Sequence, residues 1–390
     1  MTLVHATSTL PQGWIAAPVP SARERVLVAL SGGVDSSLAA ALLVEQGHDV
    51  VGVWMRLHSA ADSVDAGRKS CCTLDAADDA RRVADQLGIP FHIQNLEQEF
   101  ADAVLEPFVA SYLDGETPSP CVGCNTAVKF GALVGKAAAI YTCDAVATGH
   151  YARRAMREDG TAWRLRAAVD REKDQTYFLH GLDGEALARA RFPLGEMTKP
   201  EVRAAARARN LPTAEKPESQ EICFVPTGDY RALLRERGWS QVPGEVVDVH
   251  GEVLGQHEGS AAYTVGQRRG IGVALESPRY VSAIDPRTNR ITIGRREDLE
   301  RREILLEGVR TPEGELVRGA TLRGQVRIRH RGSLASGTLH GEGEGRARLQ
   351  LDTPLWAASP GQTVVLYDAE TLVAGGRVAL LVAEGAGDAE

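Results

Sequence analysis

The sequence predicts an α/β protein: a doubly wound parallel sheet, followed by a small β-rich domain and a C-terminal β-barrel. Three observations carry this expectation. Short apolar runs alternate with apolar residues at helical spacing over the first 150 residues. A hairpin signal and one further helix then interrupt the alternation. From about residue 226 onward, short strands and Gly-rich turns take over.

The elements follow in order. Residues 1–21 are irregular and lack a basic start leading into a long apolar core, so they read as a flexible tail and not as a signal peptide. Residues 26–30 (Val-Leu-Val-Ala-Leu) are a strand buried on both faces. Leu38, Ala41 and Leu42 continue as a helix that Gly47 stops. Residues 50–55 are a second strand. Ala76, Ala80, Val83, Ala84 and Leu87 mark a second helix closed by Gly88 and Pro90, and 91–93 open a third strand. Phe100, Val104 and Phe108 give a third helix, and 145–148 another buried strand. Asp159-Gly160 turns between 151–157 and 163–169. Thr198 and Glu201 form a capping box for a helix that ends near Asn210, with Pro212 beyond it. Residues 285–289 turn between 280–284 and 290–293, and 341–345 form a Gly-rich turn. The resulting boundaries are a tail at 1–22, a first domain at 23–225, a central β-rich domain at 226–295, a barrel at 296–383 and a disordered tail at 384–390.

The 390 residues carry a net charge of −8, with 43% hydrophobic and 25% charged residues, an ordinary globular composition. No apolar run approaches the ~20 residues needed to span a bilayer, so a cytoplasmic protein without a membrane partner is expected. In a reducing compartment six cysteines, at 71, 72, 121, 124, 143 and 223, suggest catalysis or metal binding more than a disulfide framework. Cys143 reads as a packing residue.

Chemistry concentrates first in Ser31-Gly32-Gly33-Val34-Asp35-Ser36. A buried strand running through a Gly-rich turn into a helix leaves backbone N–H groups unpartnered at the helix N-terminus, and with the helix dipole they make an anion site. Gly32 and Gly33 allow close approach of phosphate, and Ser31 and Ser36 add hydroxyl donors. Asp35 repels phosphate, so it either holds magnesium or caps the helix. No Lys follows the glycines, which excludes the Walker pattern. The string resembles the signature of the PP-loop ATP pyrophosphatases, which split ATP into AMP and pyrophosphate to adenylate a carbonyl oxygen.

Later strings narrow the resemblance. Thr117-Pro118-Ser119-Pro120-Cys121-Val122-Gly123-Cys124-Asn125 sets a Cys-x-x-Cys at the start of a helix, where a thiol is more acidic. Cys223 stands alone between Ile222 and Phe224, a setting that by itself suits a core residue. With Ala147-Thr148-Gly149-His150-Tyr151, Lys173-Asp174-Gln175-Thr176-Tyr177-Phe178-Leu179, Gly266-Gln267-Arg268-Arg269-Gly270 and Pro360-Gly361-Gln362, the chain resembles the tRNA-specific 2-thiouridylases, from about Arg23 to about Leu381.

That resemblance implies ATP contacts from Ala29, Leu30, Ser31, Gly32, Gly33, Val34, Asp35, Ser36, Met55 and Gly149. It implies a persulfide on Cys223, loaded by a sulfur-donor protein, and Cys124 as the thiol that resolves it. Lys173, Asp174 and Gln175 would contact tRNA, and Ser119, Pro120 and Cys121 would meet the wobble uridine. Cys121 stands where many members carry Asp, so the acid–base role passes to its thiol or to water. Alternatively, Cys121, Cys124 and Cys223 supply thiolates to a 4Fe–4S cluster. The Cys71-Cys72 pair resembles a variant found in the family. Arg323, Arg327, Arg329, His330 and Arg331 crowd one stretch of the barrel, where Arg327, Arg329 and Arg331 would share a strand face. The stretch suits either a charged edge strand or phosphate contact, and the resemblance puts Arg329 and His330 near the anticodon arm. Arg268 and Arg269 form a second basic patch. Two rival readings are a small-molecule ligase of the PP-loop class and an RNA-binding protein with a structural metal on the three cysteines.

Overall fold

The computed structural model describes residues 10–18, 22–58, 74–218, 222–225, 228–273 and 277–379. Cys71, Cys72 and the tail from 384 lie outside the described residues. Contacts divide the chain into two compact units. The first comprises residues up to Pro107, Pro120–Tyr230 and Tyr367–Val373; the second comprises Phe108–Ser119, Arg231–Leu366 and the residues from Ala374.

The first unit is built on a parallel sheet of β1 (Arg25–Ala29), β2 (Asp49–Arg56), β3 (Phe91–Asn95), β4 (Ala145–Ala147) and β5 (Ala190–Arg191), in the spatial order β3-β2-β1-β4-β5. Val26, Leu27 and Val28 are fully buried, as a strand covered on both faces requires. Helix α1 (Val34–Glu45) is small-residue-rich and lies between two cores. Its Ala40 and Leu43 join Val26, Val28, Val50 and Trp54, with Ala77 and Ala80 of α2 (Leu74–Leu87). Its Leu38, Ala39 and Ala41 join Tyr151, Leu194, and Val202 and Ala206 of α3 (Lys199–Ala208). Truncating Leu38, which is fully buried in the second of these cores, is expected to cost about 2–5 kcal/mol. Urea unfolding of Leu38→Ala checks this, and a loss below ~1 kcal/mol would show that the site collapses freely.

The capping box at α3 forms as expected: the Glu201 carboxylate accepts from the Thr198 N–H at 2.7 Å. The hairpin pairs Ala152–Arg157 with Trp163–Ala167. The N-terminal stretch differs from expectation. Trp14–Ala16 is a strand paired with Ala155–Arg157, because Trp14 buries its ring beneath the guanidinium groups of Arg164, at 4.3 Å, and Arg157, at 5.5 Å. The unit is completed by residues near the far end of the sequence. Tyr367 Oη lies 3.0 Å from Thr176 Oγ1, and Glu370 accepts from Arg153 at 2.7 Å and Arg166 at 3.3 Å.

In the second unit, Gly244–Asp248, Val253–His257, Tyr280–Asp285 and Arg290–Gly294 form a four-stranded sheet around Val246, Val281, Ile291 and Ile293. A closed antiparallel barrel follows, in which Thr371–Val378, Thr363–Asp368, Thr321–Arg327, Ala335–Gly343, Arg346–Trp356 and Glu300–Thr311 pair in that spatial order, with Leu306 opposite Val378 at the closure. Its strands reach 12 residues, longer than the short strands expected. Among the described residues no helix is long and apolar enough to cross a membrane.

Candidate active site

In the first unit β1 is central, and the chain leaves it toward β2 on one side while β4 lies on the other. The crevice at the carboxyl ends of β1 and β4 is therefore a topological switch point, where open α/β sheets bind ligands. Ser31–Gly33 follows β1 and Thr148–His150 follows β4, so both strings singled out in the sequence face it.

Gly33 caps α1 with extended backbone (φ −102°, ψ 164°) and has no side chain with which to satisfy the first-turn N–H groups. The loop is closed from within: the Ser36 hydroxyl accepts from the Ser31 N–H at 3.1 Å and donates to the Gly33 carbonyl at 3.2 Å. Ser36 was expected to offer its hydroxyl to phosphate; it is buried and braces the turn instead. Ser31 is exposed. Gly32 has φ +70°, and a Cβ there would lie 2.2 Å from the Ala76 carbonyl oxygen. Gly149 seals the other side, since a Cβ would lie 2.6 Å from the Ser36 nitrogen and 2.7 Å from the Asp35 carbonyl carbon. Met55 is half-buried near the end of β2.

Asp35 was expected to hold magnesium or cap the helix. Its carboxylate oxygens accept from Lys199 Nζ at 2.7 and 2.8 Å, and Oδ1 also accepts from the Tyr151 hydroxyl at 2.9 Å. A divalent ion on this carboxylate would sit against an ammonium, so Asp35 does not fit as a metal ligand. Burial and the Asp35 charge together push the Tyr151 phenol far above its ordinary range. Lys199 also pairs with Glu218 at 2.9 Å, and Glu218 with Lys173 at 2.7 Å. Burial alone would raise the Glu218 pKa, but the hydrogen bonds from Lys173 and Lys199 outweigh it and hold the carboxyl at about 2. Lys216 reaches back to the Gly32 carbonyl at 2.9 Å and to Asp79 at 2.7 Å.

Lys173, Asp174 and Gln175 occupy one loop with different fates. Lys173 is half-exposed. Asp174 is 2% exposed and accepts from the Ala168 N–H at 2.9 Å and the Thr176 hydroxyl at 2.8 Å, so it braces the loop and presents no surface to RNA. The Gln175 carbonyl accepts from the Tyr151 N–H at 2.9 Å, tying this loop to the His150-Tyr151 string. Next to it, the Thr148 hydroxyl and His150 Nδ1 lie 2.7 Å apart. Burial, with Lys129 nearby, holds the His150 imidazole well below its usual range.

The Cys-x-x-Cys opens a helix that runs through Pro120–Gly123 into a widened turn at Cys124–Ala132. Cys121 is exposed and Cys124 buried, while Cys223 is half-buried next to Phe224, whose ring meets Phe100 edge-on at 5.5 Å. Asn125 donates to the Phe178 carbonyl at 3.0 Å and accepts from Lys129 at 2.9 Å, which joins the cysteine helix to the Lys173–Leu179 string. Among the described residues no three His, Cys, Asp or Glu side chains gather to hold a metal ion. The three thiols therefore do not fit a 4Fe–4S cluster in this arrangement. Cys143 is buried as expected, and burial pushes its thiol pKa up.

In the second unit, four of the strings converge. Thr117, Gly266, Gln267, Arg329 and Gln362, with Trp356, line a cavity of about 360 Å³. The Thr117 N–H donates to the Pro360 carbonyl at 2.7 Å. The barrel strand stops at Arg327, so Arg327, Arg329 and Arg331 do not share a strand face as expected. The chain turns there and Arg329 folds inward, donating to the Ala357 carbonyl at 2.7 Å with its guanidinium 5.5 Å from the Trp356 ring. His330 and Ser119 are half-buried.

Three family models match this chain in succession: a tRNA methyl transferase HUP domain over residues 24–227, a tRNA methyl transferase PRC-barrel domain over 231–295, and an aminomethyltransferase beta-barrel domain over 309–378. The tRNA-specific 2-thiouridylase MnmA of Moorella thermoacetica is 47% identical over 354 residues, covering 90% of this chain and 98% of that protein. The chain belongs to the tRNA-specific 2-thiouridylase family. Relatives of the same name from Chloroflexus aggregans and Mycolicibacterium smegmatis are each 48% identical, covering 91% and 88% of this chain and 98% and 95% of their own.

Within this thiouridylase-family chain, sequence reasoning missed Lys199, Lys216, Glu218, Tyr151 and Trp356 as neighbours of the candidate sites. One of them carried a readable signal. Lys199 sits at the first position of α3, where the helix dipole disfavours a cation, and a Lys placed against that field calls for a partner.

Proposed function

We propose that this chain catalyses ATP-dependent 2-thiolation of the wobble uridine of tRNA. The observation that carries the reading is the match to 2-thiouridylases over nine tenths of the chain. The loop at the switch point supports its ATP half. Ala29, Leu30, Ser31–Ser36, Met55 and Gly149 surround the nucleotide, with the first-turn N–H groups of α1 facing its phosphates. ATP brings magnesium as its own counter-ion, and no residue of this chain is assigned to it.

The uracil C2 oxygen attacks the α-phosphorus, an O–P bond forms and pyrophosphate leaves. The terminal sulfur of a Cys223 persulfide then attacks C2, and AMP departs with the oxygen. The Cys124 thiolate attacks the Cys223 sulfur, and the electron pair of the broken S–S bond stays on the ring sulfur as the thiocarbonyl. A reductant of the dithiol class reopens the Cys124–Cys223 disulfide, and a sulfur-donor protein reloads Cys223. Exposed Cys121 or a water takes the proton role that a carboxylate fills elsewhere in the family.

On the RNA side, Ser119, Pro120 and Cys121 meet the target base. Lys173 and Gln175 contact tRNA from a loop that Asp174 holds in shape. Arg329 and His330 serve the anticodon arm, where the Trp356-lined cavity suits the stacking by which single-stranded RNA bases are held.

The test incubates the protein with ATP, a cysteine desulfurase with cysteine as the persulfide donor, a dithiol reductant and unmodified tRNA, followed by nucleoside mass spectrometry. The expected result is 2-thiouridine formed only with ATP, one AMP per modified base, and none on tRNA whose wobble base is cytidine. Product without ATP, or no product with every component present, would overturn the reading.

A further inference from the structure

We infer that Cys121 is a further catalytic residue, the thiol through which a protein reductant resets the enzyme after each turnover: it takes the Cys124 sulfur from Cys223 and brings the disulfide to the surface. The inference rests on the proposal that Cys223 carries the persulfide and Cys124 resolves it.

That route leaves a problem of access. Each round ends with a disulfide between Cys124 and Cys223, and disulfide exchange needs an attacking thiolate that can reach a sulfur. Cys124 is 8% exposed, and Cys223 is half-buried. The turn that bears Cys124 is held on both sides. A Cβ at Gly123 would lie 3.0 Å from the Ala103 carbonyl oxygen, so the backbone there packs closely on that segment. Asn125, 2% exposed, donates to the Phe178 carbonyl at 3.0 Å and accepts from Lys129 at 2.9 Å. A small dithiol can enter such a site, whereas a thiol set in the folded surface of a protein reductant is kept out.

Cys121 supplies the missing contact. It is exposed and stands three residues before Cys124. The helix runs unbroken from Pro120–Gly123 into Cys124–Ala132, with Gly123 itself helical (φ −58°, ψ −44°). Cα atoms three residues apart on such a turn are roughly 5 Å apart, inside the range that a disulfide spans. The first turn of a helix also favours the thiolate, which is the attacking form. One sulfur of the pair therefore lies inside the site and the other faces solvent.

Two exchanges follow. The Cys121 thiolate, its proton lost to solvent, attacks Cys124 Sγ. The Cys121–Cys124 bond forms, the Cys124–Cys223 bond breaks, and the electron pair leaves on Cys223 as a thiolate ready for the next sulfur. A thiolate of the reductant then attacks Cys121 Sγ, and Cys124 leaves as thiolate. The second thiol of the reductant closes its own disulfide and frees Cys121, so the reductant is oxidised once for each uridine modified.

The experiment uses the full-length protein, loaded with persulfide by a cysteine desulfurase and cysteine, freed of small thiols and kept anaerobic. Unmodified tRNA is added with or without ATP and with no reductant. N-ethylmaleimide then blocks the remaining thiols, and unreduced peptides are read by mass spectrometry. With ATP the expected result is a Cys121–Cys124 disulfide with Cys223 alkylated, and without ATP neither disulfide forms. Cys121→Ser, a one-atom change at an exposed position, is expected to stop at Cys124–Cys223. Unquenched samples of both oxidised proteins are then reduced with a thioredoxin-class protein or with dithiothreitol, steps that involve no thiolation chemistry. The ratio of the first rate to the second is expected to fall about tenfold or more in Cys121→Ser. A parent protein quenched as Cys124–Cys223 with Cys121 alkylated, or an unchanged ratio in Cys121→Ser, overturns the relay and leaves the persulfide route standing. Thiouridine formed by the parent with no disulfide on Cys124 overturns the persulfide route itself, and the relay with it.

Discussion

Cys223→Ser is expected to stop 2-thiouridine formation while the protein stays folded and still binds ATP. A serine hydroxyl cannot carry a second sulfur, so the proposed reaction loses its sulfur nucleophile and not merely part of a binding contact. Removing a nucleophile outright lowers turnover by ~10³-fold or more. The structural cost is small, because the replacement differs by one atom at a half-buried position and leaves the edge-on Phe100–Phe224 contact in place. Two measurements separate chemistry from folding: thiouridine yield, and the melting temperature with and without ATP. A full yield from the variant would remove Cys223 from the sulfur path. A collapsed melting temperature would instead make it a core residue, the role that its apolar neighbours suggest in isolation.

Gly149→Ala should act on the other half of the reaction. The added methyl would meet the Ser36 nitrogen at 2.6 Å and the Asp35 carbonyl carbon at 2.7 Å, and neither can yield without moving the first turn of α1. That turn presents the N–H groups assigned to phosphate, so the displacement misplaces the triphosphate relative to the oxygen it must receive. Misplacement by about 1 Å costs ~10²-fold in rate. The expected result is a weakened ATP Kd and a fall of about a hundredfold or more in AMP release, with thiouridine falling in parallel. An unchanged ATP Kd in a folded Gly149→Ala protein would show that the loop after β4 has no part in the nucleotide site.

The parts legible in the sequence were those with local causes. Residues 26–30 announced a strand buried on both faces because no polar residue interrupts them, and Gly32 announced a turn because few other residues allow its φ of +70°. The capping box at Thr198 and Glu201 spans three residues and was equally readable. What escaped depends on distance along the chain. Trp14–Ala16 is too short to signal a strand, and it becomes one through arginines some 140–150 residues away. Lys199 and Lys216 reach a loop about 170 residues earlier, so composition near either end says nothing of the pairing. Arg327, Arg329 and Arg331 alternate as a strand would. Their strand nonetheless ends at Arg327, and the Ala357 carbonyl and the Trp356 ring draw Arg329 inward.

The return of Tyr367–Val373 to the first unit bears on how the protein is made. On a ribosome the chain through Tyr230 emerges long before the residues that complete the Thr176–Tyr367 contact and the arginine pairs of Glu370. At 5–20 residues per second that interval is roughly seven to thirty seconds. During it Arg153 and Arg166 have no Glu370 to pair with, so the nascent ATP domain must wait for the last turn of synthesis to close. A polypeptide stopped at Tyr230 would stay in that waiting state permanently, which makes the full-length chain the smallest sensible unit for expressing the nucleotide-binding half.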